Sequence, residues 1–390
     1  MKFLKLAFLL LLILSTATGC WGNREVQNVN YPSAIGVDYE GGNYTVYVQL
    51  LDFSSVAKLE GQQKQQEAPV WIGKGVGPTF TDAANYLYET SQQRVTWGHV
   101  EAIVFSERIL EQNKYNEVLE LINRYREIRY LIWAFSTKEP IEEVLRATPF
   151  FRLSPEASIL HNPEEAYRQR SMIRPVRLYQ FIMSIKEKVN PAYLPCLTID
   201  QERWEESNKK HPLLKYDGMH IFQYKKFIGH MNLTDLKGLP WMREDTVRMP
   251  LSVRQNDHLV AILITEKPHV HIRHAIQDGK VYFDVTVSMK AGINEQHMKI
   301  TEKELSKLAG EEVEEEIRYT YKKAYERGVD IYNLAETLYR SKPAAFHRLA
   351  DENQFVLNEN SLRNVRVKVH LTSTGRYKFE PGMSHHDTAQ

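Results

Sequence analysis

The residues best suited to chemistry fall into four groups. Gly73-Lys74-Gly75-Val76-Gly77 stands between a strand-like run and a helix-like run, where backbone N–H groups can cradle a phosphate. A nucleotide loop needs Lys followed by Ser or Thr at the helix start. The chain reads Gly77-Pro78-Thr79, so this segment is expected to be a flexible glycine turn. His269, His271 and His274 are spaced so that the first two would share a strand face, a geometry that metals use, while the third would point away. No carboxylate supports them at short range. Asp278 and Asp284 could approach only through the fold, so exposed edge-strand histidines are expected. Glu311 to Glu316 (EEVEEE) is a helical stretch in which Val313 faces inward and the glutamates form a solvated face, balanced by Lys322 and Lys323. Asp200, Glu202, Glu205 and Glu206 surround Trp204 in a charged segment. A sugar-cleaving carboxylate pair needs a cleft and a separation of about 5–10 Å, so these residues read as solvation charge. Neither Gly-x-Ser-x-Gly nor His-Glu-x-x-His occurs, and no Cys–His arrangement stands out. The expectation is a chain without catalytic, cofactor-binding or metal-ligating residues.

One further residue has chemistry of another kind. Lys2 and Lys5 precede an unbroken apolar run, Leu6 to Leu14. That run is too short for a membrane span, which needs about 20 residues, and it suits a secretory signal. Ser15 to Gly19 are small, and Cys20 follows. Small residues ending in Gly before Cys form the pattern at which bacterial lipoproteins are diacylated and cut, although Ala17 stands where Leu is most frequent. Residues 1–19 are therefore expected to be a signal peptide, and Cys20 the lipid-attachment residue. Two acyl chains anchor firmly, because each buried CH₂ contributes about 0.8 kcal/mol. With Cys20 acylated, only Cys196 remains, so no intrachain disulfide can form. Cys196 lies in the apolar stretch PAYLPCLTI and reads as a buried small hydrophobe.

The elements that would carry these residues are mixed. Ala34–Tyr39 and Tyr44–Leu51 look like a hairpin around Gly41-Gly42-Asn43. A Gln-rich loop spans 59–69, followed by a short strand at Val70–Ile72. Helices are expected over Thr79–Gln93, Tyr115–Arg129, Ile141–Arg146 and Val176–Lys188, and strands at Val100–Phe105 and Leu131–Phe135. Further on, a hairpin is expected at 218–230, and strands at Leu259–Thr265, Val281–Lys290 and Val365–Leu371. The long helix 302–327 is N-capped by Thr301, with Glu304 completing a capping box. His385-His386 falls in a polar tail.

The chain has 390 residues, with 50 Lys+Arg against 49 Asp+Glu. This balance argues against nucleic-acid binding, which uses a basic face. A single apolar run excludes a polytopic membrane protein. Removal of Lys2 and Lys5 takes the formal charge from +1 to −1, so attachment must come from the acyl chains. The expected fold class is α+β and multidomain, with two to three mixed domains. The expected division is an N-terminal domain 20–200, a charged linker 201–212, a small β-rich middle domain 213–268 and a C-terminal α/β domain 269–380.

Several segments in order are similar to the Ger(x)C family, the C subunits of nutrient germinant receptors in endospore-forming bacteria. They are Cys20-Trp21 after the signal-like run, Ala34-Ile35-Gly36-Val37-Asp38, Gly98-His99 with VEAIVFSERIL, YREIRYLIWAF at 125–135, and Pro195 with CLTI. The most specific is Asp217 to Trp241, with Gly218, Ile221-Phe222, Lys225-Lys226, Phe227-Ile228-Gly229, Asp235 and Gly238 in the family's order. Asp330-Ile331 with LYRSKP and Thr374-Gly375 continue the match. Phe346 and Phe355 stand near positions where tryptophan and phenylalanine are more usual, and the acidic residues around 235 are thinner. The resemblance implies three α/β-type domains and a non-enzymatic lipoprotein on the outer face of the spore inner membrane. It also implies assembly with polytopic A and B subunits into a complex that senses nutrients and triggers germination. The competing readings are a solute-binding lipoprotein of a transporter and a cell-wall hydrolase.

Overall fold

The computed structural model describes residue 3 and residues 29–51, 69–124, 127–187, 189–349 and 357–372. The signal-like run, Cys20, most of the Gln-rich stretch, Phe355 and the tail with Thr374-Gly375 and His385-His386 lie outside the described residues.

Strands β1 (Val29–Glu40) and β2 (Asn43–Leu51) form the expected hairpin, and Gly41 and Gly42 supply its positive φ. Strand β3 (Trp71–Gly77) pairs with β2 along its whole length. This corrects the reading of Gly73–Gly77 as a flexible turn. The glycines are required by packing, not by turn geometry. Helix α1 (Phe80–Tyr86) lies so close that a Cβ on Gly75 would stand 1.9 Å from the Ala83 carbonyl oxygen. Thr79 caps α1, its hydroxyl accepting the Asp82 N–H at 3.1 Å. Gly75→Ala is accordingly expected to lower the unfolding free energy by about 1–3 kcal/mol, because strand and helix must separate. Urea unfolding of the two chains side by side measures this, and equal midpoints would refute the close-packing account.

Strand β4 (Arg94–Val95) pairs with the first residues of β1. Then follow β5 (Ala102–Ser106), α2 (Glu107–Glu111), α3 (Tyr115–Arg124) and β6 (Trp133–Thr137). Next come α4 (Ile141–Arg146), α5 (Pro163–Gln169), β7 (Val176–Arg177), α6 (Leu178–Lys186) and β8 (Ala192–Asp200). The helix expected over Thr79–Gln93 is an α-helix only over Phe80–Tyr86, with a 3-10 turn at Leu87–Glu89, and the one expected from Val176 begins at Leu178. Residues 176–177 extend because Arg177 pairs with Trp133, and α3 is described as far as Arg124. Strand β8 is absent from the sequence reading, since Pro191 and Pro195 mask its apolar run.

Residues 201–212, expected to be a linker, form an exposed two-stranded hairpin, β9 (Glu205–Glu206) with β10 (Lys209–Lys210). Pairing then continues across it. Strand β11 (Leu213–Gln223) runs antiparallel to β8, and β12 (Lys226–Asn232) closes the edge. The expected middle domain 213–268 is thus shared between two sheets. Its first two strands complete the first sheet, and the remainder enters the second. Charge density marked solvent exposure at 201–212, not a break in pairing.

The first sheet has the order β12-β11-β8-β6-β5-β1-β2-β3, with β4 and β7 attached to β1 and β6. One row crosses all eight strands: Asn232, Gly218, Cys196, Ser136, Phe105, Val37, Val46 and Gly75. Strands β1, β5, β6 and β8 are parallel. Helices cover both faces, so alternate residues of β1 enter different cores. Ile35 and Val37 meet Val118, Ile122 and Phe181, whereas Ala34 meets Ile141 and Leu145.

The second sheet has the order β13-β14-β15-β16, from β13 (Met249–Gln255), β14 (His258–Gln277), β15 (Lys280–Gln296) and β16 (Leu362–Thr372). Strands β15 and β16 are parallel. Their crossover contains α7 (Glu302–Tyr325), α8 (Leu334–Ser341) and α9 (Pro343–Leu349). Thr301 caps α7 as expected, and Gly328, at φ +70°, follows its end. Leu305, Val313 and Ile317 of α7 share one core with Phe283 and Val285 of β15 and with Met219, Ile221 and Met231 of the first sheet. Mixed helices and sheets in more than one layer make the fold multidomain α+β, as expected.

Candidate functional site

In an open sheet with parallel strands, ligands bind beyond the strands' carboxyl ends. Here that end carries Asp38 on β1, Ser106 on β5, Thr137 at the end of β6 with Lys138 just after it, and Cys196 on β8. Strands β11 and β12, running past the same level, add Asp217, His220 and His230.

Two networks form. Buried Asp38 binds the Arg108 guanidinium and the Ser106 hydroxyl, while Ser106 also caps α2. In the second, His220 Nδ1 is 2.8 Å from Ser136 Oγ, and its Nε2 is 3.0 Å from Glu107 Oε1. A carboxylate requires a donor, so Nε2 carries the proton and Nδ1 accepts from Ser136. Burial, reinforced by His230 and Lys138, pushes the His220 pKa down to about 3, which keeps the ring neutral at pH 7. A Ser–His–Glu chain has the composition of a hydrolytic triad. Ser136 and His220, however, are both 0% exposed, and a nucleophile must reach its substrate. The chain ties α2, β6 and β11 together through hydrogen bonds to the buried His220 ring.

Beside it, Cys196, Asp217 and His230 place their sulfur, oxygen and nitrogen ligand atoms within 4.8 Å of one another. Such a set could hold a metal ion in principle. The Lys138 ammonium stands 2.8 Å from His230 Nδ1 and 3.8 Å from Asp217 Oδ2, so the cluster already contains its cation. Burial also pushes the Cys196 thiol up to about 12, away from the thiolate that a metal takes. The sequence reading missed this grouping. Spacings of 21 and 13 residues across three strands leave no local signal; only the register aligns them.

The residues singled out by sequence are placed as follows. His269 and His271 are exposed on β14, and Arg273 Nε donates to His271 Nε2 at 3.1 Å. Asp284 pairs with Arg363 at 2.7 Å. Asp200 is buried and accepts from Lys215 at 2.8 Å, while Glu205 and Glu206 sit on the exposed hairpin. Glu316 departs from its expected solvated role. It turns inward, and Oε2 accepts from Trp241 Nε1 at 2.6 Å. Cys196 is buried, as expected, while Cys20 lies outside the described residues.

At the opposite end of the first sheet, a groove of about 440 Å³ opens between α3 and α6. Leu119, Asn123, Tyr130, Tyr179, Met183 and Lys186 line it. Among the described residues, no helix is long and apolar enough to cross a membrane.

Comparison with known proteins places these features in a family. Residues 22–199 match the family described as the spore germination protein N-terminal domain. Residues 217–375 match the spore germination B3/GerAC-like C-terminal family. The chain is 21% identical to spore germination protein KC of Bacillus subtilis (strain 168) over 376 residues, covering 89% of each. It is 21% identical to the putative spore germination protein YfkR of the same organism over 221 residues, covering 55% of this chain and 54% of YfkR. Its fold is similar to the crystal structure of the GerBC protein, with a TM-score of 0.50 and 14% identity over 87% of this chain and 96% of that one. The chain therefore belongs to the Ger(x)C family of spore germination proteins, carrying both of the family's domains in order.

Proposed function

We propose that this chain is the non-enzymatic C subunit of a nutrient germinant receptor. Diacylated Cys20 holds it to the outer face of the spore inner membrane, where it assembles with polytopic A and B subunits to trigger germination. The observation that carries this reading is the ordered match to both spore germination domains, which together span most of the sequence. Supporting it, the triad-like residues are closed to substrate and the triple-ligand cluster is occupied by Lys138.

Crosslinking in intact spores tests the assembly. Capture of two polytopic receptor subunits is expected. Capture of a transporter permease would favour a solute-binding lipoprotein instead. Cys20→Ala is expected to shift the chain out of the spore membrane fraction and to slow nutrient-triggered germination at least tenfold. A mutant that fractionates and germinates like its parent would refute the anchor.

A further inference from the structure

We propose that the end of the first sheet opposite the polar networks is a membrane-facing surface, resting on anionic lipid headgroups. This inference rests on the reading of Cys20 as the acylated residue.

The direction of the strands supplies the argument. Below the row that runs from Gly75 to Asn232, the sheet ends at Val29 of β1, Leu51 of β2, Trp71 of β3, Trp133 of β6 and the β11–β12 turn. Strand β1 therefore begins at this end. Nine peptide links join Cys20 to Val29, and a fully extended chain of that length reaches about 30 Å at most. An acylated Cys20 thus keeps this end, and not the Glu40–Asn43 turn, nearest the bilayer.

The surface chemistry at this end fits that neighbour. Trp71, Leu131 and Met183 are 64%, 63% and 62% exposed. Tyr88, Tyr130 and Tyr179 are also exposed. Tyr130, Tyr179 and Met183 line the groove between α3 and α6, while Trp71, Tyr88 and Leu131 stand outside it, extending the apolar surface toward edge strand β3. Trp and Tyr favour the headgroup level, where an apolar ring meets a wet polar tip. Exposed Arg94, Arg129, Lys186, Lys225 and Lys226 lie at the same end, against Glu89, Glu101, Glu127 and Glu187. The cations outnumber the carboxylates there by one, and their long side chains can reach the headgroups of an anionic leaflet.

The full acylated chain, reconstituted into phosphatidylglycerol–phosphatidylcholine vesicles, provides the test. Single nitroxide labels go on Leu131→Cys, on Met183→Cys and, as the distal control, on Asn43→Cys. Cys196 is buried and Cys20 acylated, so neither competes for label. The ratio of collisions with oxygen to collisions with a water-soluble nickel complex is expected to be several-fold higher at 131 and 183 than at 43. Equal ratios on chains that float with the vesicles would overturn the proposal while leaving the anchor intact. Chains that do not float would overturn the anchor reading itself, and this proposal with it. Labels screened only when polytopic subunits are co-reconstituted would identify a protein, not lipid, as the occupant, which also overturns it. Independently, Arg129→Glu in the unacylated Cys20→Ser chain is expected to weaken sedimentation with these vesicles about fivefold or more at low salt. No change there would count against the headgroup contact.

Discussion

Replacing Trp241 by alanine lowers the unfolding free energy by about 3–5 kcal/mol, the expected range for emptying a large buried aromatic site. Trp241 is 1% exposed and lies in the short turn Pro240–Met242. That turn is pressed against α7. The Gly238 N–H donates to Thr320 Oγ1 at 2.9 Å, and a Cβ on Gly238 would stand 2.3 Å from the Glu316 carbonyl oxygen. The indole N–H meets the Glu316 carboxylate, whose pKa burial raises and this hydrogen bond lowers. Alanine therefore creates a cavity and strands a carboxylate in low dielectric. Trp241→Phe separates the two effects, and about 1.5–3 kcal/mol is expected for the charged hydrogen bond alone. Urea unfolding at pH 7 measures both. A Trp241→Ala loss under 1 kcal/mol would mean that the turn does not join β12 to α7.

The second large effect depends on pH. Asp330 is 2% exposed, and its carboxylate accepts the N–H groups of Leu334 at 3.0 Å and Ala335 at 2.7 Å, closing the start of α8. Burial outweighs these bonds and raises its pKa from 3.8 to about 6. Between those values the folded chain holds a proton that the unfolded chain has released. Stability from this group is therefore greatest below about pH 4 and declines until about pH 6, by roughly 3 kcal/mol in all. Asp330→Asn keeps an oxygen acceptor and removes the titration. The difference in stability between parent and variant should move by about that amount, in favour of asparagine, between pH 4 and pH 7. A constant difference would show that the backbone donors, not burial, govern Asp330.

Much of the architecture can be read locally. The alternation Val281, Phe283, Val285, Val287 marks an inward strand face, and Thr301 with Glu304 marks the start of α7; both stand where periodicity and capping place them. The motif from Asp217 to Trp241 also forms its hairpin, although the positive-φ residues are Tyr224 and Lys225. Local patterns fail where a residue's role depends on a distant neighbour. Gly75 looks like turn material until Ala83 is laid on it, and Glu316 looks solvated until Trp241 arrives. Residues 201–212 look like a break because hairpin strands of two residues carry no period.

Side-chain alternation, helix caps and the order of family segments are properties of neighbouring residues, so the chain's composition, its α+β class and its family follow from sequence alone. The grouping of Cys196, Asp217 and His230 around Lys138 does not, nor does the closure of Ser136 and His220 from solvent. Nor does the presence of Trp71, Leu131 and Lys225 at the end where β1 begins. Each depends on strand register and direction, and these are chosen by burying both faces of the first sheet and one face of α7 at once. That choice is a free energy of the whole core, and no window of sequence contains it.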